Sequence, residues 1–119
     1  MTSGVLIVDD DASFRALARR ILSDAGLAVA GEAETIAAAL AAIADLEPSG
    51  VLLDIGLPDG DGVALAARLA VLPSAPAVLL TSTDPDAVTA ADVRRSGARG
   101  FIPKADLPGA ALDALRGTL

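Results

Sequence analysis

The stretch Val51-Leu52-Leu53-Asp54-Ile55-Gly56-Leu57-Pro58 decides the fold, because an apolar run typical of a buried strand ends there in a carboxylate followed by loop residues. Two other segments stop in the same way: residues 5–8 run into Asp9-Asp10-Asp11, and residues 78–80 run into Thr81-Ser82. Open α/β sheets keep their ligand sites at the carboxyl ends of parallel strands. If these three strands are parallel neighbours, their polar ends meet around Asp54.

Length and composition indicate one folded domain over residues 1–119. The chain has 119 residues, 53% of them hydrophobic and 21% charged, which excludes the profile of disordered chains. Aromatic residues make up only 2%, so we expect an aliphatic core. No apolar run reaches the roughly 18 residues that cross a bilayer, and residues 1–4 lack the charged start of a signal peptide. We therefore expect a soluble, cytoplasmic protein without membrane contact and without an output domain.

The residues that are missing restrict the chemistry. The chain has no cysteine, which excludes disulfides and thiolate metal sites. It has no histidine, which excludes a Ser-His-Asp triad, a histidine-ligated zinc site and a phosphohistidine on this chain. A net charge of −7 argues against nucleic-acid binding by this segment, because phosphate neutralisation needs clustered positive charge. Carboxylates, hydroxyls and basic side chains remain available.

Hydrophobic periodicity and turn residues predict five strands alternating with five helices. The predicted strands are residues 5–8, 27–31, 51–54, 77–80 and 99–103. The predicted helices are residues 11–22, 34–46, 62–72, 84–96 and 106–116. For the first helix Asp11 is the predicted cap, and for the fourth Thr83 or Asp84 is the cap with Pro85 in the first turn. Such alternation implies right-handed crossovers and a parallel sheet with helices on both faces.

The convergent carboxylates predict a divalent cation. If Asp9, Asp10 and Asp54 lie within roughly 4 to 6 Å of each other, each like-charge pair costs on the order of 3 kcal/mol at an effective dielectric near 20. A site with oxygen ligands alone suits Mg²⁺. Lys104 follows the fifth strand and can bring its ammonium to the same edge. An aspartate in such a site can accept a phosphoryl group, with Thr81 and Lys104 donating to the new oxygens.

Five separated motifs resemble the receiver domain of two-component response regulators, and the resemblance covers nearly the whole chain. They are Asp9-Asp10 after a buried strand, Asp54 followed by Leu57-Pro58, Asp61-Gly62, Thr81 after a buried strand, and Phe101 three residues before Lys104. The resemblance implies a flavodoxin-like, doubly wound (βα)5 fold with strand order 2-1-3-4-5. The Lys-x-x-Leu form of residues 104–107 is similar to receivers that precede helix-turn-helix output domains.

The resemblance also assigns roles at the acidic edge. Asp54 is then the phosphoacceptor, and Lys104 contacts the phosphoryl group. Asp10 binds Mg²⁺ directly, Asp9 assists through water, and the carbonyl oxygen of Gly56 completes the protein ligands. Since the chain has no histidine, the donor is a separate sensor histidine kinase, a histidine phosphotransfer protein or a small acyl phosphate.

A second set of implied roles concerns the switch. Thr81 hydrogen-bonds the phosphoryl group, and Phe101 turns inward to remodel the surface of the fourth helix, fifth strand and fifth helix. A homodimer through that surface is also implied as an option. Three positions depart from the family pattern. Ala105 stands where proline is common after the lysine, which argues against a cis peptide bond there. Phe101 has no hydroxyl, so any switch there is steric and apolar, and Ser82 stands where alanine is more usual.

Other interpretations of the same residues remain open. The run Asp9-Asp10-Asp11 can be a helix-capping cluster. Thr81 can simply end its strand, Phe101 can be part of the core, and Lys104 can be a solvated charge. At the level of function, one alternative is a docking module that works without phosphorylation. Another is an aspartyl-phosphate hydrolase, which ranks last because no cap domain or second substrate pocket is recognisable. A calcium loop around Asp59-Gly60-Asp61 is excluded, because its register puts Leu57 and Arg68 at ligand positions.

Overall fold

A computed structural model describes residues 4–109 and 112–116 and forms one parallel five-stranded sheet. The strands are β1 Val5–Val8, β2 Val29–Ala33, β3 Gly50–Asp54, β4 Ala77–Ser82 and β5 Gly100–Pro103. They lie in the order β2-β1-β3-β4-β5, and every neighbouring pair is parallel. The predicted strand order 2-1-3-4-5 is therefore confirmed. None of the helices in the two described ranges is long and apolar enough to span a bilayer.

Helices connect successive strands. They are α1 Ala12–Asp24, α2 Ile36–Leu46, α3 Gly62–Ala70 and α4 Ala90–Ser96, followed by 3₁₀ helices at Lys104–Gly109 and Asp113–Arg116. The predicted cap of α1 is correct, because the carboxylate of Asp11 accepts from the N–H of Ser13 at 2.9 Å. A short antiparallel pair, Gly56–Leu57 with Gly60–Asp61, lies between β3 and α3.

Both faces of the sheet are buried, because successive side chains along a strand point to opposite faces and each face packs against other elements. One face packs against α1 and the C-terminal 3₁₀ segments through a buried cluster comprising Val5, Ile7, Phe14, Ala18, Leu22, Leu27, Leu52, Leu79, Leu107, Leu112 and Leu115. The other face packs against α2, α3 and α4, with Leu6, Val8, Val51, Leu53, Val78 and Leu80 from the strands. The predicted placement of helices on both faces is confirmed.

The second strand starts two residues later than predicted. Leu27, predicted as its first residue, donates its N–H to the carbonyl of Leu22 at 2.9 Å and so belongs to the turn that ends α1. Gly26 precedes it with a φ of +81°, a left-handed conformation that suits glycine. Leu27 is apolar and so was predicted as part of the strand, but its hydrogen bond places it in the turn after α1.

The predicted start of the fourth helix is wrong. α4 begins after Thr89, which accepts from the N–H of Asp92 at 3.1 Å, while the carboxylate of Asp92 accepts from the N–H of Thr89 at 3.2 Å. This reciprocal capping box is a strong helix start. Asp84 instead closes a local turn, accepting from the N–H of Asp86 at 2.9 Å. An aspartate followed by a proline is compatible with a turn as well as with a helix start. Thr89, five residues after Asp84, makes the stronger cap.

The last predicted helix, residues 106–116, is also different. The chain forms two short 3₁₀ helices instead, and Pro108 lies inside the first of them. Proline has no N–H to donate, and its ring clashes with the preceding turn, so it disfavours a continuous α-helix at that position. Residues 110–111 of the predicted helix lie outside the described residues. Leu107 and Leu115 are nonetheless buried, and they pack in the cluster on the α1 face of the sheet.

Candidate functional site

The strand ends meet at one edge, as the alternating pattern predicted. β3 lies between β1 and β4, with Val8 opposite Leu53 and Asp54 opposite Thr81. Asp9 follows Val8 directly, so it lies beside Asp54 on the other side from Thr81. Three polar residues that are far apart in the sequence are therefore neighbours at the carboxyl edge of the central strands.

Three carboxylates form the candidate cation site. Asp9, Asp10 and Asp54 each offer an oxygen, and these oxygens lie within 4.8 Å of one another. Asp9 is 0% exposed and Asp54 is 6% exposed, whereas Asp10 is exposed. Two buried carboxylates and one accessible carboxylate, all hard oxygen donors, fit Mg²⁺ with room for water ligands. The predicted convergence of these three residues is thus present.

Lys104 enters the same cluster from the end of β5. Its Nζ lies 2.7 Å from Oδ2 of Asp9 and 3.7 Å from Oδ2 of Asp54. Oδ2 of Asp9 is buried and lacks a hydrogen bond of favourable geometry in the described part of the chain, so the contact with Lys104 is primarily ionic. Nζ also lies 4.5 Å from the ring centroid of Phe14, a cation–π contact. Lys104, whose side chain is 13% exposed, is therefore a largely shielded counter-charge rather than a solvated lysine.

The surroundings of Asp54 make ionisation of its carboxyl unfavourable. Burial raises the pKa of its carboxyl above the usual value, the neighbouring Asp9 raises it further, and Lys104 opposes this shift. The N–H of Gly56 donates to Oδ1 of Asp54 at 3.4 Å and also lowers the pKa, while Asp10 adds a small increase. A carboxylate that is costly to ionise beside two others gains from any cation that joins them.

Thr81 carries a buried hydroxyl without a partner. The residue is 1% exposed, and in the described residues its Oγ1 has no hydrogen-bond partner. Leaving a buried polar group unpaired costs about 1 to 3 kcal/mol. Since Thr81 lies opposite Asp54 in the strand register, this hydroxyl is placed to donate to a group attached to Asp54.

Gly56 and Phe101 occupy different places. Gly56 is exposed next to Asp54, and a Cβ added there would meet no atom within 4 Å, so its backbone is open to solvent. Phe101 is half-buried and packs on the α4 side of the sheet, away from the carboxylates. It lines a groove of about 400 Å³ with Val88, Thr89, Ala90, Val93, Arg94 and Gly100.

Two contacts at the site were not predicted from the sequence. Phe14 lies on the buried face of α1, and its ring lies under Lys104. Arg15 received no role, yet its Nη1 donates to the backbone carbonyl of Asp9 at 2.6 Å and its Nε pairs with Glu32 at 2.9 Å. Their position in the first turn of α1, directly after the acidic run, is the signal that points to them.

The loop after Asp54 is fixed by a third unpredicted contact. The carboxylate of Asp59 accepts from the N–H groups of Ile36 at 2.8 Å and Ala37 at 3.1 Å, which are the first residues of α2. The bond from Ile36 is the main reason why the pKa of Asp59 is below its usual value. This side chain ties the loop that carries Gly56 to the neighbouring helix.

Comparison with known proteins gives one consistent result. The family model described as response regulator receiver domain matches residues 5–115. The receiver domain of NtrX from Brucella abortus is 34% identical and aligns with a TM-score of 0.79, covering 96% of this chain and 99% of that chain. The chemotaxis protein CheY of Thermotoga maritima is 32% identical over 116 residues, which are 97% of this chain and 96% of that protein.

Other relatives are much longer proteins. The protein-glutamate methylesterase/protein-glutamine glutaminase 3 of Hahella chejuensis is 38% identical over 106 residues, which cover 87% of this chain but only 30% of that protein. The chain likewise spans less than half of two further relatives, a putative transcriptional regulator and KdpE. In each case the similarity is confined to one part of the longer protein. The sheet order, the acidic edge and these matches agree that the chain belongs to the response regulator receiver domain family.

Proposed function

We propose that this receiver domain is a phosphorylation switch in which Asp54 accepts a phosphoryl group from a phosphohistidine of a sensor histidine kinase or a histidine phosphotransfer protein. The observation that carries the proposal is the buried carboxylate of Asp54, which shares one edge with two further carboxylates and Lys104. Receiver domains are phosphoacceptor signalling domains, and their typical partners are histidine kinases or phosphotransfer proteins.

The transfer is a displacement at phosphorus. An oxygen lone pair of Asp54 forms the new O–P bond, the N–P bond of the phosphohistidine breaks, and its electron pair stays on the imidazole nitrogen. The product is an acyl phosphate on Asp54. Lys104 pairs with a phosphoryl oxygen. The hydroxyl of Thr81 donates to another, which satisfies a group that has no hydrogen-bond partner among the described residues. Slow autodephosphorylation would restore the carboxylate.

The residues present fit Mg²⁺. Asp9, Asp10 and Asp54 bring three negative charges when ionised and Lys104 brings one positive charge, so a divalent cation neutralises the site. Asp10 and Asp54 would bind it directly, Asp9 would assist through water, and the carbonyl of Gly56 would complete the set. When bound, Mg²⁺ supplies charge neutralisation at the incoming phosphoryl oxygens. Receiver domains generally bind Mg²⁺ at such an acidic pocket.

The output is proposed to lie at the groove beside Phe101. A new hydrogen bond from Thr81 draws the β4–α4 connection towards Asp54, because Thr81 is the second-last residue of β4 and lies close to the start of that connection. Phe101 lies opposite Leu80, one position before the level of Thr81, and lines the groove against α4. Closure of this groove would change the surface of α4, β5 and the C-terminal segment, which contacts an output domain, a partner or a second copy.

Phosphorylation with acetyl phosphate or a phosphorylated kinase, followed by intact mass measurement, tests the proposal. We expect one added phosphoryl group in the wild type with Mg²⁺, and none in Asp54→Asn or after chelation. Asp45→Asn is a matched control, because Asp45 is an exposed aspartate on α2 and loses the same charge. A wild type that gains no phosphoryl group in Mg²⁺ contradicts the proposal.

A docking module that works without phosphorylation is the second candidate. The groove of about 400 Å³ beside Phe101 is open while Asp54 is unmodified, and this observation favours the candidate. It predicts that a partner binds equally well to the wild type, to phosphorylated protein and to Asp54→Asn. The switch predicts that phosphorylation changes partner affinity and that Asp54→Asn abolishes the change.

A further inference from the structure

Hydrogen bonds hold the backbone on both sides of the Cα atom of Asp9. The N–H of Asp9, which belongs to the peptide bond with Val8, donates to the carbonyl of Ala33 at 3.0 Å. The carbonyl oxygen of Asp9 belongs to the peptide bond that leads into Asp10, and Nη1 of Arg15 donates to this oxygen at 2.6 Å. Because the Asp9–Asp10 peptide plane links the two residues, its orientation affects how well their carboxylates converge on Asp54.

Arg15 is itself anchored. Its Nε pairs with Oε1 of Glu32 at 2.9 Å, and its side chain is only 15% exposed. The other oxygen of Glu32 pairs with Arg19 at 2.9 Å. The hydrogen bond from Arg19, followed by that from Arg15, keeps the pKa of Glu32 below its usual value against the opposing effect of burial. Glu32 and Ala33 are consecutive in β2, so the end of this strand holds Asp9 directly and through Arg15.

We propose that Arg15 is a positioning residue, which holds the Asp9–Asp10 peptide in the orientation that lets both carboxylates bind a divalent cation together with Asp54. The inference rests on the proposed function, since it concerns the cation at that same site. Groups that orient metal ligands without touching the metal typically change its affinity by about 10- to 100-fold when they are removed.

Positioning and simple electrostatics predict opposite signs. The guanidinium of Arg15 is a positive charge close to the cluster, so removing it weakens the repulsion of a cation and favours tighter Mg²⁺ binding. Removing its hydrogen bond to Asp9 frees the peptide plane and favours weaker binding. The direction of the change in affinity therefore separates a positioning role from a role as a charge.

A titration of the folded protein with MgCl₂, followed by ¹H–¹⁵N NMR at the amides of Asp10 and Gly56, measures this direction. Arg15→Gln and Arg19→Gln each remove one charge and one ion pair to Glu32, but only Arg15→Gln removes the bond to Asp9. We expect the dissociation constant for Mg²⁺ to rise about tenfold in Arg15→Gln and to stay within about twofold in Arg19→Gln. Arg15→Lys, which keeps the charge and one donor, is expected to fall between them.

Equal or tighter Mg²⁺ binding by Arg15→Gln than by Arg19→Gln overturns the inference. If Arg15→Gln does not fold, Arg15→Lys replaces it, because it keeps the positive charge and changes the hydrogen bond to Asp9. Electrostatics then predicts unchanged Mg²⁺ binding, whereas the inference requires weaker binding than in the wild type. A wild type that binds no Mg²⁺ overturns the inference together with the proposed cation site. If the wild type binds Mg²⁺ and Arg15→Gln binds it with the same dissociation constant, the inference is overturned but the proposed cation site stands.

Discussion

Replacing Asp54 with asparagine is expected to stabilise the cation-free protein, although Asp54 is the proposed phosphoacceptor. The carboxylate oxygens of Asp9 and Asp54 lie within 4.8 Å of each other, so at an effective dielectric near 20 their repulsion is at least about 3.5 kcal/mol. The attraction of Lys104 at 3.7 Å is about 4.5 kcal/mol on the same scale. These contributions nearly cancel, so burial of a carboxylate that is 6% exposed, with the added repulsion of Asp10, decides the sign.

The sign follows from the pKa of Asp54, which is raised in the folded protein, mainly by burial. A carboxyl with a raised pKa binds its proton more tightly in the folded state than in the unfolded state, so its ionisation lowers stability as pH rises through that range. Asp54→Asn removes this loss. We expect its free energy of unfolding at pH 7 to exceed that of the wild type by about 1 to 2 kcal/mol, with the difference vanishing below the unfolded pKa of about 3.9.

Thermal unfolding followed by far-ultraviolet circular dichroism, in a buffer with chelator, measures the difference. For a domain of this size about 1 kcal/mol corresponds to about 3 to 6 °C. Mg²⁺ should reverse the order, because a ligand at 100 times its dissociation constant adds about 2.7 kcal/mol to the wild type. Asp45→Asn, at an exposed site, should leave the unfolding temperature nearly unchanged. An Asp54→Asn protein that is less stable than the wild type in chelator refutes the reasoning.

Two further predictions concern Thr81 and the start of α4. Thr81→Val is expected to leave the unphosphorylated protein as stable as the wild type or about 1 kcal/mol more stable in chemical unfolding, because the buried hydroxyl makes no hydrogen bond within residues 4–109 and 112–116. A loss above about 1 kcal/mol would contradict this. Thr89→Ala is expected to cost about 1 kcal/mol and to speed hydrogen exchange in α4, because it removes the capping box. Thr83→Ala, at the cap predicted from the sequence, should do neither, and equal effects of the two substitutions would contradict the observed helix start.

The sequence was sufficient for the sheet and for the acidic edge, because both depend on short local patterns. A run such as residues 51–54 has to be buried on both faces, and strands separated by helices have to be parallel. Once the strand order is set, the residues at the carboxyl ends of β1, β3 and β4 become neighbours without further information. The sequence alone therefore groups Asp9, Asp54 and Thr81.

The contacts that hold the site together could not be predicted in the same way. Arg15 reaches Glu32 across 17 positions, and Asp59 reaches Ile36 across 23, so neither pair has a local pattern. The start of α4 failed for another reason: two capping sequences compete within a few residues, and the reciprocal bonds of Thr89 and Asp92 favour the later one. Capping propensity favours both Asp84 and Thr89 as helix starts, and it does not show which of the two the fold uses.

The central claim is that the edge formed by β1, β3 and β4 directs a phosphoryl group to Asp54. Its most direct test is to phosphorylate the protein in Mg²⁺, reduce the acyl phosphate with borohydride and locate the resulting homoserine by peptide mass spectrometry. The account predicts homoserine at position 54 alone. Homoserine at position 9 or 10, or its absence from position 54, would contradict it.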